Sequence, residues 1–184
     1  MRFMFVFPGQ GSQSVGMMAS YEGLPAIRET FVEASDVLGE DLWEMAQPGP
    51  AGRLSLTVNT QPLVLTAGVA VWRAWRALGG PEPALLAGHS LGEYTALVAA
   101  ESLSFADALP LVRLRAQAMQ EAVPAGVGAM AAVMGLDAAA VETVCRQAAA
   151  ETGETVAPAN LNAPGQIVIA GHKGAVERAA VLAK

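Results

Sequence analysis

The sequence has few groups that form crosslinks or titrate near neutral pH. Its 184 residues include one cysteine, Cys145, and two histidines, His89 and His172. A single cysteine excludes an intramolecular disulfide framework and a cysteine-based zinc site. It is also typical of a reducing compartment. Cys145 lies in a predicted helix, where inert packing is commoner than nucleophilic chemistry.

Charged residues are also scarce, at 15 %, and acidic ones predominate, giving a net charge of −6. This balance argues against general binding to nucleic acid or to an anionic membrane. The longest mostly apolar stretch, residues 62–72, is shorter than the about 20 residues that a membrane span needs. The apolar run before Pro8 is too short for the core of a signal peptide. We therefore expect a cytoplasmic protein with neither nucleic acid nor membrane as a partner.

Apolar residues are abundant instead, at 53 %, which excludes disorder and allows a large core. Apolar runs at 3–7 and 84–87 predict buried strands. Helical patterns cover residues 27–46, 62–78 and 104–122, the last with Pro110 inside it, and residues 48–61 form a turn-rich connection. Strands that alternate with helices predict an α/β layer with a parallel sheet.

The pattern changes after Pro124. Strands are predicted at 128–134, 156–161 and 166–170, and helices at 137–151 and 173–184. This β-α-β-β-α order is that of a ferredoxin-like unit without its last strand. We therefore predict two subdomains, residues 1–124 and 125–184.

The sharpest functional motif is Gly88-His-Ser-Leu-Gly92, between a predicted strand and a predicted helix. A nucleophilic serine needs such a turn to lift its oxygen out of the sheet, and flanking glycines allow close packing around it. The motif favours Ser90 as a nucleophile, with the Leu91 N–H aimed at a developing oxyanion. An ordinary tight turn is the alternative. His89 is expected to be a packed structural histidine in either case, because adjacent side chains usually point apart around such a turn.

A glycine loop, residues 9–13, follows the first strand. Its spacing matches neither the dinucleotide fingerprint, which needs a glycine at Ser14, nor the phosphate-binding loop, which needs Gly-Lys-Ser/Thr at residues 16–18. The loop could present backbone N–H groups to an anion or oxyanion, or it could be a plain turn.

Arg115 is the most informative residue of the 104–122 helix. At 100° per residue it shares one face with Leu111, Ala118 and Ala122, which predicts a guanidinium in an apolar stripe. Such a charge is costly without an anion. Either a buried Asp or Glu pairs with it, or it clamps a substrate carboxylate.

Six stretches of the chain carry a resemblance to a known family. They are residues 5–13, 59–62, 88–93, 113–115 with 119–120, 128–131 and 160–166. In this order, over essentially the whole chain, they resemble the malonyl-CoA:acyl-carrier-protein transacylases, the acyltransferase family of fatty acid and polyketide synthesis.

The resemblance implies an α/β hydrolase-like large subdomain with an inserted ferredoxin-like small subdomain. It implies that Ser90 is the acyl-accepting nucleophile and that the N–H groups of Gln10 and Leu91 form the oxyanion hole. It also implies that Arg115 clamps the malonyl carboxylate, and it makes Asn162 a candidate pocket residue. Leu91 is similar to the malonyl-type members rather than the methylmalonyl-type ones.

The implied activity is ping-pong transfer of a malonyl group from CoA to acyl carrier protein, without a cofactor or a metal. The family's general base is a histidine beyond position 184. We therefore expect the sequence to be the N-terminal portion of a longer protein, with both subdomains incomplete at the C-terminus and no activity alone. The alternative is that His172 acts as the base.

Two other functions stay open at this point. A serine hydrolase or thioesterase could use the same turn, with His172 as the only available histidine base. A non-enzymatic scaffold could dock a carrier protein without turning anything over.

Overall fold

The structure is a computed structural model that describes residues 2–47, 54, 56–124 and 126–184. The chain divides into two compact units, Met1–Gln120 and Glu121–Lys184. The sequence placed this division after Pro124, four residues further on. No helix within the described ranges is long and apolar enough to span a membrane.

The first unit contains two strands and five α-helices among the described residues. The strands are β1 (Met4–Phe7) and β2 (Leu85–Gly88), and the helices are α1 (Pro25–Leu38), α2 (Leu42–Ala46), α3 (Thr57–Ala77), α4 (Gly92–Ala99) and α5 (Phe105–Glu121). A short 3-10 turn, Ala19–Tyr21, precedes α1. The alternation of strands and helices confirms the predicted α/β class.

The single helix predicted at 27–46 is wrong, because the chain forms α1 and α2 there. Gly39 ends α1 with a left-handed φ of 69°, a conformation that glycine adopts without steric cost. Asp41 then caps α2 by accepting a hydrogen bond of 2.8 Å from the Glu44 N–H. These two local signals end one helix and begin the next within the predicted helical range.

The start of α3 also differs from the prediction, which placed it at Pro62. The helix begins at Thr57 and contains Pro62, so residues 57–61 are helical rather than part of a turn-rich connection. Residues 48–53 and 55 of that connection lie outside the described residues. Proline removes one N–H near the helix start but does not end the helix.

The strands β1 and β2 pair in parallel, with Met4 opposite Leu85 and Phe7 opposite Gly88. One face of this pair packs on Trp72 of α3 and on Ala96 and Ala99 of α4. The helices enclose a larger core of their own. Its largest fully buried side chains include Met18, Ile27, Phe31, Leu63 and Leu109.

The second unit is an antiparallel sheet packed against two helices. Its elements are β3 (Gly128–Met134), α6 (Ala138–Thr152), β4 (Val156–Ala163), β5 (Gln166–His172) and α7 (Lys173–Leu182). The strand order is β3-β5-β4. This confirms the predicted β-α-β-β-α sequence of elements. Cys145 is buried in the core between sheet and helices.

Candidate active site

Parallel pairing of β1 and β2 brings the loops that follow them to the same edge of the sheet. The ladder continues one residue past β2, since the His89 N–H donates to the carbonyl of Phe7, the last residue of β1, at 3.1 Å. The glycine loop after β1 and the serine turn after β2 are therefore neighbours. The sequence predicted each loop separately, and the register joins them into one site.

Glycines make the close approach of these two loops possible. A Cβ at Gly92 would lie 2.1 Å from the Phe7 carbonyl oxygen, and one at Gly9 would lie 2.7 Å from the His89 carbonyl oxygen. A Cβ at Gly88 would lie 2.0 Å from the backbone of Gly92. Real side chains do not fit at such distances, so all three glycines serve packing at the serine turn.

Substitution of Gly92 by alanine is expected to destabilise the protein by roughly 1–3 kcal/mol, because the β1 loop must move to admit a methyl group. Chemical denaturation followed by circular dichroism measures this change. Gly23→Ala is the matched control, since nothing lies within 4 Å of a Cβ at Gly23. Equal stability of the two variants would contradict the packing role of Gly92.

Ser90 occupies the strained position of the turn. Its φ is 53°, in the left-handed region that non-glycine residues rarely adopt. Its side chain is exposed, and α4 begins two residues later at Gly92. This is the geometry expected of a nucleophile on a strand-to-helix turn.

The N–H groups of Gln10 and Leu91, the two predicted oxyanion donors, make no hydrogen bond to any described residue. The neighbouring Gly11 N–H, by contrast, donates to Oε1 of Gln13 at 2.8 Å. Leu91 is the N-cap of α4, so its N–H belongs to the unpaired donors at the start of a helix. Both groups are thus available for an anionic oxygen.

Arg115 reaches the serine hydroxyl. Its Nη2 donates to Oγ of Ser90 at 3.0 Å, and its Nη1 donates to Oε1 of Gln61 at 2.6 Å. Its guanidinium carbon lies 5.8 Å from the ring centre of Tyr94, within the range of a cation–π contact. The ion pairs formed among the described residues do not include Arg115. This disfavours a structural pair with Asp or Glu.

The predicted setting of Arg115 needs a correction. The buried face of α5 is formed by Phe105, Ala108, Leu109, Val112 and Ala116. The predicted stripe lies beside that face, since Leu111, Ala118 and Ala122 are exposed and Arg115 is half-buried. Pro110 does not interrupt α5, which runs from Phe105 to Glu121. An Arg at the edge of a buried face keeps part of its hydration. The desolvation cost of its charge is therefore lower than it would be in an apolar stripe.

Gln61 is the site residue that sequence reasoning missed. It is fully buried, it accepts from Arg115, and its Nε2 contacts Oε1 of Gln10 at 3.3 Å. Gln10 in turn donates through Nε2 to Oγ1 of Thr57 at 3.2 Å. A signal existed, since residues 59–62 carry part of the family resemblance, but it assigned no role to Gln61.

The sequence analysis also singled out His89, Asn162 and Cys145. His89 is exposed rather than packed. Asn162 is exposed in the second unit, at a register shift of β4 between Leu161 and Ala163. Burial raises the pKa of the Cys145 thiol, which favours the inert, protonated form. Within the described ranges no group of three or more His, Cys, Asp or Glu side chains is arranged to hold a metal.

The turn at the sheet edge thus holds a strained serine, with a guanidinium from α5 beside it that has no carboxylate partner among the described residues. This arrangement is typical of an acyl-accepting site with room for a negative charge. The sequence profile of the acyl transferase domain family matches residues 4–182. The chain belongs to the acyl transferase domain family, as the resemblance predicted.

Within this family, the chain is similar to curated relatives and solved structures that are malonyl transacylases. The chain is 56 % identical over 184 residues to the malonyl CoA-acyl carrier protein transacylase of Salmonella typhimurium, covering 100 % of this chain and 59 % of that protein. It matches the structure of the malonyl CoA-acyl carrier protein transacylase from Coxiella burnetii with a TM-score of 0.94 and 54 % identity, covering 100 % of this chain and 58 % of that one.

A third match is to a malonyl-transacylase in complex with its type II polyketide acyl-carrier protein. The TM-score is 0.93 at 52 % identity, and the match covers 100 % of this chain and 59 % of the other. The chain thus spans about three fifths of the length of the first relatives that it matches.

Proposed function

We propose that the protein transfers a malonyl group from CoA to the phosphopantetheine thiol of an acyl carrier protein, through a malonyl ester on Ser90. The observation that carries this proposal is the hydrogen bond of 3.0 Å from Arg115 to the Ser90 hydroxyl. It puts a cation that has no carboxylate partner within the described part of the chain beside the proposed nucleophile. The names of the relatives support the same reaction.

In the first half of the reaction, Oγ of Ser90 attacks the thioester carbonyl of malonyl-CoA. The serine proton passes to a general base, the carbonyl oxygen becomes an oxyanion, and the carbon–sulfur bond then breaks to release CoA as its thiol. The N–H groups of Gln10 and Leu91 are proposed to stabilise the oxyanion. One such donor contributes about 3 kcal/mol to the transition state.

In the second half, the carrier-protein thiol attacks the malonyl ester, and Ser90 regains its proton. Carrier proteins are acidic, so we propose that the protein docks them through a local basic surface despite the net charge of −6. The resemblance assigns the base to a histidine beyond position 184. The 184-residue chain alone is therefore proposed to be inactive or nearly so, and no cofactor takes part.

Arg115 selects the acyl group in this proposal. The free carboxylate of malonate lies two carbons beyond the ester carbonyl, so it stays close to a guanidinium that contacts Oγ. When Oγ becomes an ester oxygen it accepts hydrogen bonds poorly, which frees Nη2 for the carboxylate. Arg is suited to this role, because its planar donors match a carboxylate in a bidentate pair.

The finer description of the two units is part of this proposal. The first unit is α/β hydrolase-like, supported by parallel strands and a serine at a strand-to-helix turn. The second is ferredoxin-like, supported by the strand order β3-β5-β4. Asn162 is proposed as a pocket residue, since β4 shifts its register between Leu161 and Ala163. Irregularities of this kind, such as β-bulges, re-aim side chains and are common near active sites.

A transfer assay tests the proposal. The whole protein is incubated with labelled malonyl-CoA and a carrier protein that bears phosphopantetheine, with acetyl-CoA as the matched substrate. We expect label on the carrier protein and a strong preference for malonyl over acetyl. Release of free malonate without carrier-protein labelling would favour the thioesterase alternative. Carrier binding without transfer would favour the docking scaffold.

A further inference from the structure

Gln61 is a buried amide in direct contact with Arg115, and we propose that it is a positioning residue that sets the acyl selectivity of the site. The inference rests on the proposed function, because it concerns the same guanidinium. Gln61 lies in the second turn of α3 and is 0 % exposed. A buried amide of this kind is retained only where its polar atoms find partners.

The polarity of the hydrogen bonds fixes the orientation of the amide. Arg115 can only donate, so the atom that faces it at 2.6 Å is Oε1 of Gln61. The Nε2 group then points to Oε1 of Gln10 and to Sδ of Met119, each at 3.3 Å. The guanidinium therefore sets the direction of the hydrogen bonds from α5 through α3 to the glycine loop.

The neutrality of Gln61 is the decisive property. A guanidinium has five N–H donors, and Gln61 occupies one of them without compensating the charge. A glutamate at this position would hold the guanidinium equally well, but it would neutralise it. Gln61 thus fixes the position of the cation and leaves its charge for a substrate carboxylate. An uncharged acyl group such as acetyl gains nothing from this arrangement.

The test is Gln61→Glu in the whole protein, assayed for transfer from malonyl-CoA and from acetyl-CoA. The substituted side chain keeps the size and the acceptor but adds a negative charge beside Arg115. We expect kcat/KM for malonyl to fall about tenfold or more, mainly through KM, because a charge-assisted hydrogen bond to substrate is lost. Acetyl transfer should change by less than about threefold.

Gln61→Leu is the second variant, since an apolar side chain of similar size is better tolerated in a buried site than a new charge. It removes the acceptor and releases the guanidinium, so malonyl transfer should fall while acetyl transfer is retained. Retained acetyl transfer also shows that the variant is folded. Gln117→Glu, at an exposed position of α5, controls for the added charge and should leave both activities unchanged.

The outcomes separate this inference from the proposed function. Loss of malonyl preference in both Gln61 variants, but not in Gln117→Glu, supports the positioning role. Equal losses for malonyl and acetyl would show a merely structural role and overturn the inference. The inference would also be overturned if Gln61→Leu kept the malonyl preference while Arg115→Ala abolished it. That outcome would leave the proposed function intact. No malonyl transfer by the unsubstituted protein would instead refute the proposed function.

Discussion

Substitution of Ser90 by alanine is expected to abolish malonyl labelling of the protein and to lower malonyl transfer by about a thousandfold or more. The reason is that no other hydroxyl occupies the strained turn next to the Gln10 and Leu91 N–H groups, within the part of the chain that the structure describes. Removal of a covalent nucleophile leaves only the contribution of binding and of the oxyanion donors. Intact-protein mass spectrometry after incubation with malonyl-CoA measures the label directly.

Two variants serve as controls for this result. Ser20→Ala changes an exposed serine in the turn before α1, and it should leave labelling unchanged. Ser90→Gly should be as inactive as Ser90→Ala but more stable by about 1 kcal/mol, because glycine adopts the φ of 53° without strain. Labelling of Ser90→Ala at the unsubstituted level would contradict the role of Ser90.

Substitution of Arg115 by alanine is expected to reduce malonyl transfer about a hundredfold and acetyl transfer by less than about threefold. Removal of the guanidinium takes away a charge-assisted contact that only the malonyl carboxylate makes. The measurement is kcat/KM for both acyl donors in the same variant. For malonyl transfer, kcat/KM of Arg115→Lys should lie between those of the unsubstituted protein and of Arg115→Ala, since lysine keeps the charge but lacks the planar pair of donors.

Arg76→Ala is the matched control for the lost positive charge. Arg76 is exposed near the end of α3 and stacks on Trp72, so this variant should keep its malonyl preference. Equal losses for malonyl and acetyl in Arg115→Ala would contradict the clamp. Hydrolysis of neutral esters that persists in Arg115→Ala, without any transfer, would favour the hydrolase alternative.

Local signals predicted much of the first unit correctly. The apolar runs that end at Pro8 and at Gly88 form β1 and β2 as predicted. Their predicted burial is wrong, since alternate residues are exposed, with Met4 at 53 %, Val6 at 64 % and Leu85 at 66 %. The helix predicted from residue 104 is α5, and Ser104 caps it by accepting a hydrogen bond of 3.1 Å from the Asp107 N–H. The helical pattern over residues 27–46 does not show the break between α1 and α2, which Gly39 and Asp41 produce locally.

The residues of the candidate site differ in how far the sequence alone predicts them. Ser90 could be predicted because its motif is contiguous and its strain is local. Arg115 contacts Ser90, but its predicted surroundings are wrong. Periodicity gives a helix face but not the neighbour that covers it. Gln61 could not be paired with Arg115, since the two lie 54 residues apart on different helices. Contacts of that kind depend on tertiary packing, which no local pattern encodes.

The central claim is that a malonyl group rests on Ser90 during transfer. The most direct measurement is to incubate the whole protein with malonyl-CoA, stop the reaction with acid, digest the protein and locate the malonyl group by peptide mass spectrometry. The account predicts that the group is on Ser90 and that addition of carrier protein before the acid removes it. A malonyl group on another residue, or one that carrier protein does not remove, would contradict the account.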